Sequence, residues 1–534
     1  MFIETVKRTT KKKTYAYTLL RRSFRDPITK KPKHETLLNL TDWDTEKVEA
    51  LRALIAGKKL ADVPEVATEQ GKAIGGLWVF NELAKQEGLD KVLGQDRRGK
   101  IALLLVLGRI LTQGSRLQLC EWVETQEIEA VLGISEIKKD ELYRSLDWLS
   151  ETQGKLEEKL YRNRCRKEAL YETETRLYLY DVTSSYLEGE ENELANYGYN
   201  RDRKRGKKQI VVGLLSDAKG RPVSISVFEG NTADMKTLSD QIETVANRFK
   251  VTQVIMVGDR GMIKTPQKKA LGDVEFHYIT AITKKQISTL LQKEVIQLGL
   301  FDSELVEVEE EEKRYVLRRN PIRQEEIEGS RQAKLDRLRE LAKDANQYLG
   351  DHTNAQVKTQ VKKMDEKLRD FGVSRFCQVS SDGRHIGIEI DEAAFTQEKQ
   401  LDGCYVLETD VSSAEMSASD IHDRYKDLAK VEMAFRTMKT GCLEIRPVFV
   451  RKESRTRGHV FVTMLGYLLV KTFWDGVKEK TEFTKAHCLS LIQSVHTTIV
   501  SLNAQTIKQI PTPRKSVQQI LDALSLKLPP ALPD

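Results

Sequence analysis

The feature that most constrains this chain is a change of periodicity at residue 175. Upstream, apolar residues recur at helical spacing, and downstream they fall into short β-rich runs. Residues 176–182 (RLYLYDV) read as a strand. Residues 209–216 (QIVVGLLS) and 222–228 (PVSISVF) read as an antiparallel pair joined by the turn 217–221. Asn231 or Thr232 then caps an amphipathic helix with Met235, Leu238, Ile242, Val245 and Phe249 on one side. The run 253–259 (QVIMVGD) is apolar nearly throughout, which predicts a central strand covered on both faces. The order is strand, strand, strand, helix, strand.

A chain of 534 residues needs about three or four structural units around such a core. With 40% hydrophobic and 31% charged residues it is neither a disordered chain, nor collagen-like, nor a membrane bundle. The apolar runs that begin at Ile101 and Phe461 are too short to span a bilayer and end in Arg109 and Lys471, so both predict buried core helices. No apolar segment follows the basic N-terminal residues, so a cytoplasmic chain with no membrane association is expected. The six cysteines show no CxxC spacing, which supports neither zinc nor a disulfide framework. Eight histidines show no HExxH, and there is no Walker loop and no GxSxG elbow.

Charge is clustered rather than large in sum. Residues 1–34 hold eleven Lys or Arg against Glu4 and Asp26, interleaved with Tyr15, Tyr17 and Phe24, on a pattern that predicts a β-hairpin turning at Asp26-Pro27. Such a patch attracts DNA phosphates irrespective of base sequence. A second cluster, Arg201, Arg203, Lys204, Arg205, Lys207 and Lys208, precedes the apolar run at 209. The acids at 304–312 read as a solvated face.

These patterns divide the chain into a basic β-strand arm with a short helix (1–60), a helical domain (61–172), a first core segment (173–283), an inserted α+β subdomain (284–402), a second core segment (403–475) and a helical tail (476–534). The helical domain has expected breaks at Gly94, Gly114, Gly133 and Gly154, and suits either a helix-turn-helix reader of DNA ends or a plain bundle.

Asp181 and Asp259 each stand at the end of an apolar run, where a carboxylate is costly to bury unless it binds something. Adjacent strands would bring both to one sheet edge. Hard oxygen ligands of this kind suit Mg²⁺ or Mn²⁺. A two-ion site needs a third acid, and the predicted helix 419–439 offers Glu432. Tyr425, Leu428, Glu432, Arg436 and Lys439 follow at intervals of three, four, four and three, which places them on one helical face.

The blocks DVTSSY at Asp181, GYNRDRKRGKKQIVVGLLSD from Gly198, EGNTADMKTL from Glu229, GDRGM at Asp259 and YKDLAKVEMAFRTMK from Tyr425 resemble those of bacterial insertion-sequence DDE transposases. The group resembled is the cut-and-paste one with a β-strand insertion and a Tyr-x2-Arg-x3-Glu-x6-Lys motif. Tyr425, Glu432 and Lys439 match that motif, and Leu428 stands where it has arginine. The resemblance covers roughly 177–474, and the 173-residue gap from Asp259 to Glu432 leaves room for the insertion. It implies a ribonuclease H-like mixed sheet, in keeping with the strand order above.

The resemblance further implies Asp181, Asp259 and Glu432 as catalytic ligands of two Mg²⁺ or Mn²⁺ ions. Tyr425 and Lys439 would contact DNA phosphates. Arg436, by its spacing, would stand in for the missing arginine, and Arg260, Arg201, Arg203, Lys204 and Arg205 are further DNA candidates. The implied function is to bind terminal inverted repeats of double-stranded DNA, cleave the ends and join them to target DNA, as a homodimer in the synaptic complex. The alternatives are a nuclease without strand transfer and a repurposed DNA-binding protein with an inactive core.

Overall fold

The computed structural model describes residues 1–10, 13–58, 67–169, 175–199, 201–202, 204, 206–446, 448–502, 505–529 and 531–532. The chain forms two compact units.

The smaller unit takes residues 1–72, 496–512 and 529–533. Phe2–Thr10, Lys13–Arg25 and Pro32–Asn39 make a three-stranded antiparallel sheet, so the expected hairpin gains the strand Phe2–Thr10. The turn at Asp26 is as expected: its carboxylate accepts the backbone N–H groups of Ile28 and Thr29 at 2.9 Å each. The helix Thr45–Ile55 follows, with Asp44 at its N-cap position but no side-chain cap bond. A second sheet orders Gln505–Gln509, His496–Leu502 and Ala67–Ala73 side by side. The tail is therefore not helical throughout. Its β-branched run Thr497, Thr498, Ile499 and Val500 fits a pleated surface better than a helix.

The larger unit holds the other helices and an eight-stranded mixed sheet. Its strand order is Val306–Glu310, Lys313–Arg319, Cys404–Thr409, His277–Ala281, Val254–Gly258, Arg176–Tyr186, Gln209–Asp217, Pro222–Glu229. Arg176–Tyr186 runs parallel to Val254–Gly258 and antiparallel to Gln209–Asp217. Tyr178, Tyr180, Leu215, Val254 and Met256 are almost wholly buried, each burial being worth roughly 1.5–3 kcal/mol for an apolar side chain. Gly213 makes room for Tyr180: a Cβ there would lie 2.2 Å from the tyrosine oxygen.

Several expectations change here. The Asp181 strand does not end at Val182. It runs on to Tyr186 because Thr183–Tyr186 continue the ladder with residues 209–212. The helix after it starts at Asp234 with Ala233 at the N-cap, Thr232 being held in the preceding turn by its N–H bond to the Glu229 carbonyl. Gly154 breaks nothing. It lies inside the helix Lys139–Lys167, where the Arg248 guanidinium crosses it on the way to Glu157.

The region 284–402 is not wholly an insert. Val306–Glu310 and Lys313–Arg319 extend the core sheet through Cys404–Thr409, and only the part from Pro321–Asp351 to Glu392–Gln400 has a separate apolar cluster, centred on Leu338, Leu349, Leu368 and Ile386. The acids at 304–312 are also not uniformly solvated, since Glu307 and Glu309 pair with the buried Arg314 at 2.7 and 3.5 Å.

Arg97–Leu111 and Glu453–Val477 are buried helices as expected. The second is long and apolar enough to cross a membrane, but 72% of its apolar window is buried inside the protein. At Gly458 it passes so close to Lys139–Lys167 that a Cβ would meet the Leu146 carbonyl at 2.2 Å.

Candidate functional site

Parallel pairing brings the first two acids together. Tyr180 faces Gly258 across the ladder, so the next residues, Asp181 and Asp259, emerge side by side. Asp181 is partly buried and accepts the Val182 N–H at 2.7 Å. Asp259 leaves its strand into an exposed turn and accepts the Arg260 N–H at 2.8 Å. The Tyr425 hydroxyl donates to the same carboxylate at 3.2 Å. Burial, then that carboxylate, raises the Tyr425 pKa, so the phenol stays a donor.

Glu432 comes from the helix Leu428–Lys439, whose Val431, Ala434, Phe435 and Met438 are buried against the core. Asp181, Asp259, Glu432, Tyr425, Leu428 and Arg260 line one cleft of about 650 Å³. Burial pushes the Asp181 carboxyl up to about 7, with Asp259 and Glu432 adding to the rise and Arg201 opposing it. A buried carboxylate whose charge two neighbouring acids disfavour is a donor that a hard cation relieves. As the side chains stand, no three His, Cys, Asp or Glu among the described residues converge closely enough to hold one ion. The fit is therefore one of donor chemistry and shared cleft.

The expected stripe is interrupted. A turn at Asp427, which bonds back to Asp423 and Arg424 at 3.1 and 3.2 Å, separates Ala418–Lys426 from Leu428–Lys439, so Tyr425 and Glu432 belong to successive helices. Asp427 also pairs with Arg424 and Lys430 at 3.1 and 2.8 Å. Arg436 is exposed and outside the cleft lining, so it does not occupy the place of the missing arginine. The cations that do line the cleft are Arg260, Lys284, Arg323 and Lys426. No sequence signal marked Lys284 or Arg323, which lie 25 and 64 residues beyond Asp259 and reach the cleft only through the fold.

Lys439 turns elsewhere. It pairs with Asp202 at 2.9 Å, and Arg446 pairs with the same carboxylate at 2.6 Å. Burial lowers the Lys439 pKa, and Asp202 offsets part of the change. Arg201 pairs with Asp234 at 2.6 Å, and its backbone N–H donates to Ser184 Oγ on the Asp181 strand at 2.9 Å. Lys204 is exposed, 5.8 Å from the centre of the Tyr186 ring, which Arg446 also approaches at 5.5 Å. Arg203 and Arg205 lie outside the described residues.

Comparison with known proteins adds an independent line. The family described as "Transposase DDE domain" matches residues 172–469, more than half of the chain. The family described as "IS1634 family transposase, N-terminal domain" matches residues 3–68. No curated protein matches. Among solved structures, a piggyBac transposase synaptic complex with hairpin DNA is similar at 9% identity and a TM-score of 0.34, over 78% of this chain and 75% of that one. A Mos1 transposase paired-end complex with the left transposon end is similar at 11% identity and a TM-score of 0.15, over 35% of this chain and 58% of that one. Structural likeness this distant does not bear on the family, which rests on the sequence matches alone. The DDE match spans both core segments and contains all three cleft acids, and by it this chain belongs to the DDE transposases of insertion sequences.

Proposed function

We propose that this transposase binds the terminal inverted repeats of its own element, cleaves the DNA ends and joins them to target DNA. The observation that carries the proposal is the single cleft shared by Asp181, Asp259 and Glu432, drawn from two parallel strands and one helix. That arrangement suits a ribonuclease H-like core with those three acids as catalytic residues and as ligands of two Mg²⁺ or Mn²⁺ ions. When bound, such ions supply an activated water or 3′-hydroxyl and a stabilised leaving oxygen for in-line phosphoryl displacement.

The protein's own groups have distinct tasks in this reading. Tyr425 orients Asp259 through its hydroxyl, leaving the other carboxylate oxygen for a ligand. Asp181 is held in a setting that disfavours its charge, so a cation gains more there than it would at an exposed acid. Arg260 stands at the cleft wall where a scissile phosphate would lie. Arg201, Arg203, Lys204, Arg205, Arg436 and Lys439 form the wider set of proposed DNA contacts, with Lys439 reaching a phosphate by exchanging it for Asp202.

The basic strands of residues 1–39 and the helical region 73–167 serve the element ends, the inverted repeats and target being double-stranded DNA. Synapsis of two ends calls for a homodimer.

The test is an assay of cleavage and strand transfer on DNA bearing the element's ends, with a supercoiled target and Mg²⁺ or EDTA. The expected result is joined product that needs the metal and disappears in Glu432→Ala. Cleavage without joining in the wild type would replace this reading with a nuclease. End binding with no cleavage in any divalent metal would replace it with a DNA-binding protein.

A further inference from the structure

We propose that a second pocket, built on Arg109 and Arg116 in the larger unit, holds a backbone phosphate of the bound DNA away from the catalytic cleft. The inference rests on the DNA-binding reading above and adds a site to it. The pocket measures about 370 Å³, and Arg109, Arg116, Gln118, Tyr143, Arg446 and His459 are among its lining residues. Arg109 and Arg116 are 5% and 6% exposed, and no Asp or Glu among the described residues lies within ion-pair distance of either.

Their neutral partners leave charge uncompensated. Arg109 donates to the carbonyls of Gln113 and Gly114 at 2.8 and 3.2 Å, and to that of Glu444 at 3.4 Å. Arg116 Nη2 meets His459 Nδ1 at 2.9 Å, while His459 Nε2 meets the Ile445 carbonyl at 3.2 Å. Nε2 facing a carbonyl makes it the donor, so Nδ1 accepts and the ring is neutral. Burial and the two guanidiniums also hold the imidazole well below its ordinary pKa. Among the described residues the Nε atoms of both arginines have no partner.

Carbonyl bonds between two loops account for Arg109 as a strut. They do not account for Arg116, whose charge faces only an imidazole. Two buried like charges without a counter-ion are destabilising, and an anion in the pocket removes that cost. Burial presses the pair down to about 9 and about 10, in the same direction. Among the described residues the one acid in the lining, Glu444, is exposed; its charge offsets part of the fall at Arg109, and no acid does so at Arg116.

Two observations favour DNA as the source of the phosphate. Arg446 lines this pocket and shares Asp202 with Lys439 of the Glu432 helix, so cations run from one site toward the other. Phe449, 71% exposed, also lines the pocket and offers an apolar face that suits a nucleotide and has no use for a free anion.

The test uses the full chain, a short labelled DNA duplex and inorganic phosphate. Gln118→Glu keeps the capping box with Ser115 while placing a carboxylate in the pocket. It should weaken DNA binding roughly tenfold near 0.1 M salt and reduce the slope of log K against log salt by about one. It should also raise the melting temperature and abolish the stabilisation that phosphate gives the wild type. Arg116→Gln should show the same loss of slope without melting lower, because it removes an uncompensated charge.

Equal slopes in wild type and both variants would overturn the proposal while leaving DNA binding intact. Stabilisation by phosphate with unchanged slopes would overturn the DNA source in favour of a free anion. An Arg116→Gln chain that does not fold, together with an unchanged Gln118→Glu slope, would make Arg116 a structural strut. No DNA binding by the wild type at any salt would remove the parent reading and this one together.

Discussion

The eight-stranded sheet keeps most of its central side chains from water, whereas Phe2–Thr10, Lys13–Arg25 and Pro32–Asn39 carry no fully buried residue at all. Val254–Gly258 is buried at every position. In the arm, Tyr15, Tyr17 and Phe24 are 49, 40 and 39% exposed beside its lysines and arginines. The first sheet is fixed by its core, so its edge can aim Asp181 and Asp259 with little freedom. The second is held by cross-strand contacts such as Thr9–Thr14 at 3.2 Å, Arg21–Glu4 at 2.7 Å and Arg22–Glu35 at 2.6 Å, which are individually weak at a surface. A long sheet left this open is shaped for a partner more than for a core.

The largest effects should separate the two sheets by stability. Met256→Ala, at a fully buried position, should lower unfolding free energy by about 2–5 kcal/mol in denaturant titrations. Tyr17→Ala in the arm should change it by less than about 0.5 kcal/mol while weakening DNA binding. Comparable losses from both would erase the distinction.

Asp181→Asn sharpens the contrast from inside the catalytic sheet. It removes a carboxylate that burial, Asp259 and Glu432 all disfavour, so stability should hold or rise by about 1 kcal/mol while strand transfer is lost. A marked fall in stability would mean that Asp181 is a structural residue.

The smallest effect concerns acid. Arg221 hydrogen bonds hold the Glu168 carboxyl down at about 2. A carboxylate with a lowered folded pKa contributes stability above its unfolded value near 4.3, and loses it as pH falls toward 2. Glu168→Gln should flatten the acid limb of a melting-temperature profile in that window and leave neutral pH nearly unchanged. An unaltered acid limb would show that the pair adds nothing.

Much of the eight-stranded sheet is legible because 176–182, 209–216, 222–228 and 253–259 are apolar runs bounded by turn residues. Polar sequence put to buried use is not legible in this way. Ser184 and Ser185 are fully buried in the strand yet lie beyond the apolar run 176–182, and the charged hairpin 306–319 joins the sheet with Glu307 paired to Arg314. The Asp427 turn falls within unbroken helical periodicity, which carries no mark of a one-residue interruption. Spacing puts Lys439 on the stripe of Glu432 but cannot show that Asp202, 237 residues earlier, pairs with it. Arg109 looked like the polar end of an apolar run, whereas its guanidinium is buried among carbonyls.

The central claim, that the cleft carboxylates act as metal ligands, is tested most directly by Asp259→Cys in the joining assay. A cysteine thiolate is a poor ligand for Mg²⁺ and a better one for the softer Mn²⁺. The account predicts that joining is lost in Mg²⁺ and returns in Mn²⁺. Full activity of the variant in Mg²⁺, or no recovery in Mn²⁺ by a folded protein that still binds DNA, would contradict it.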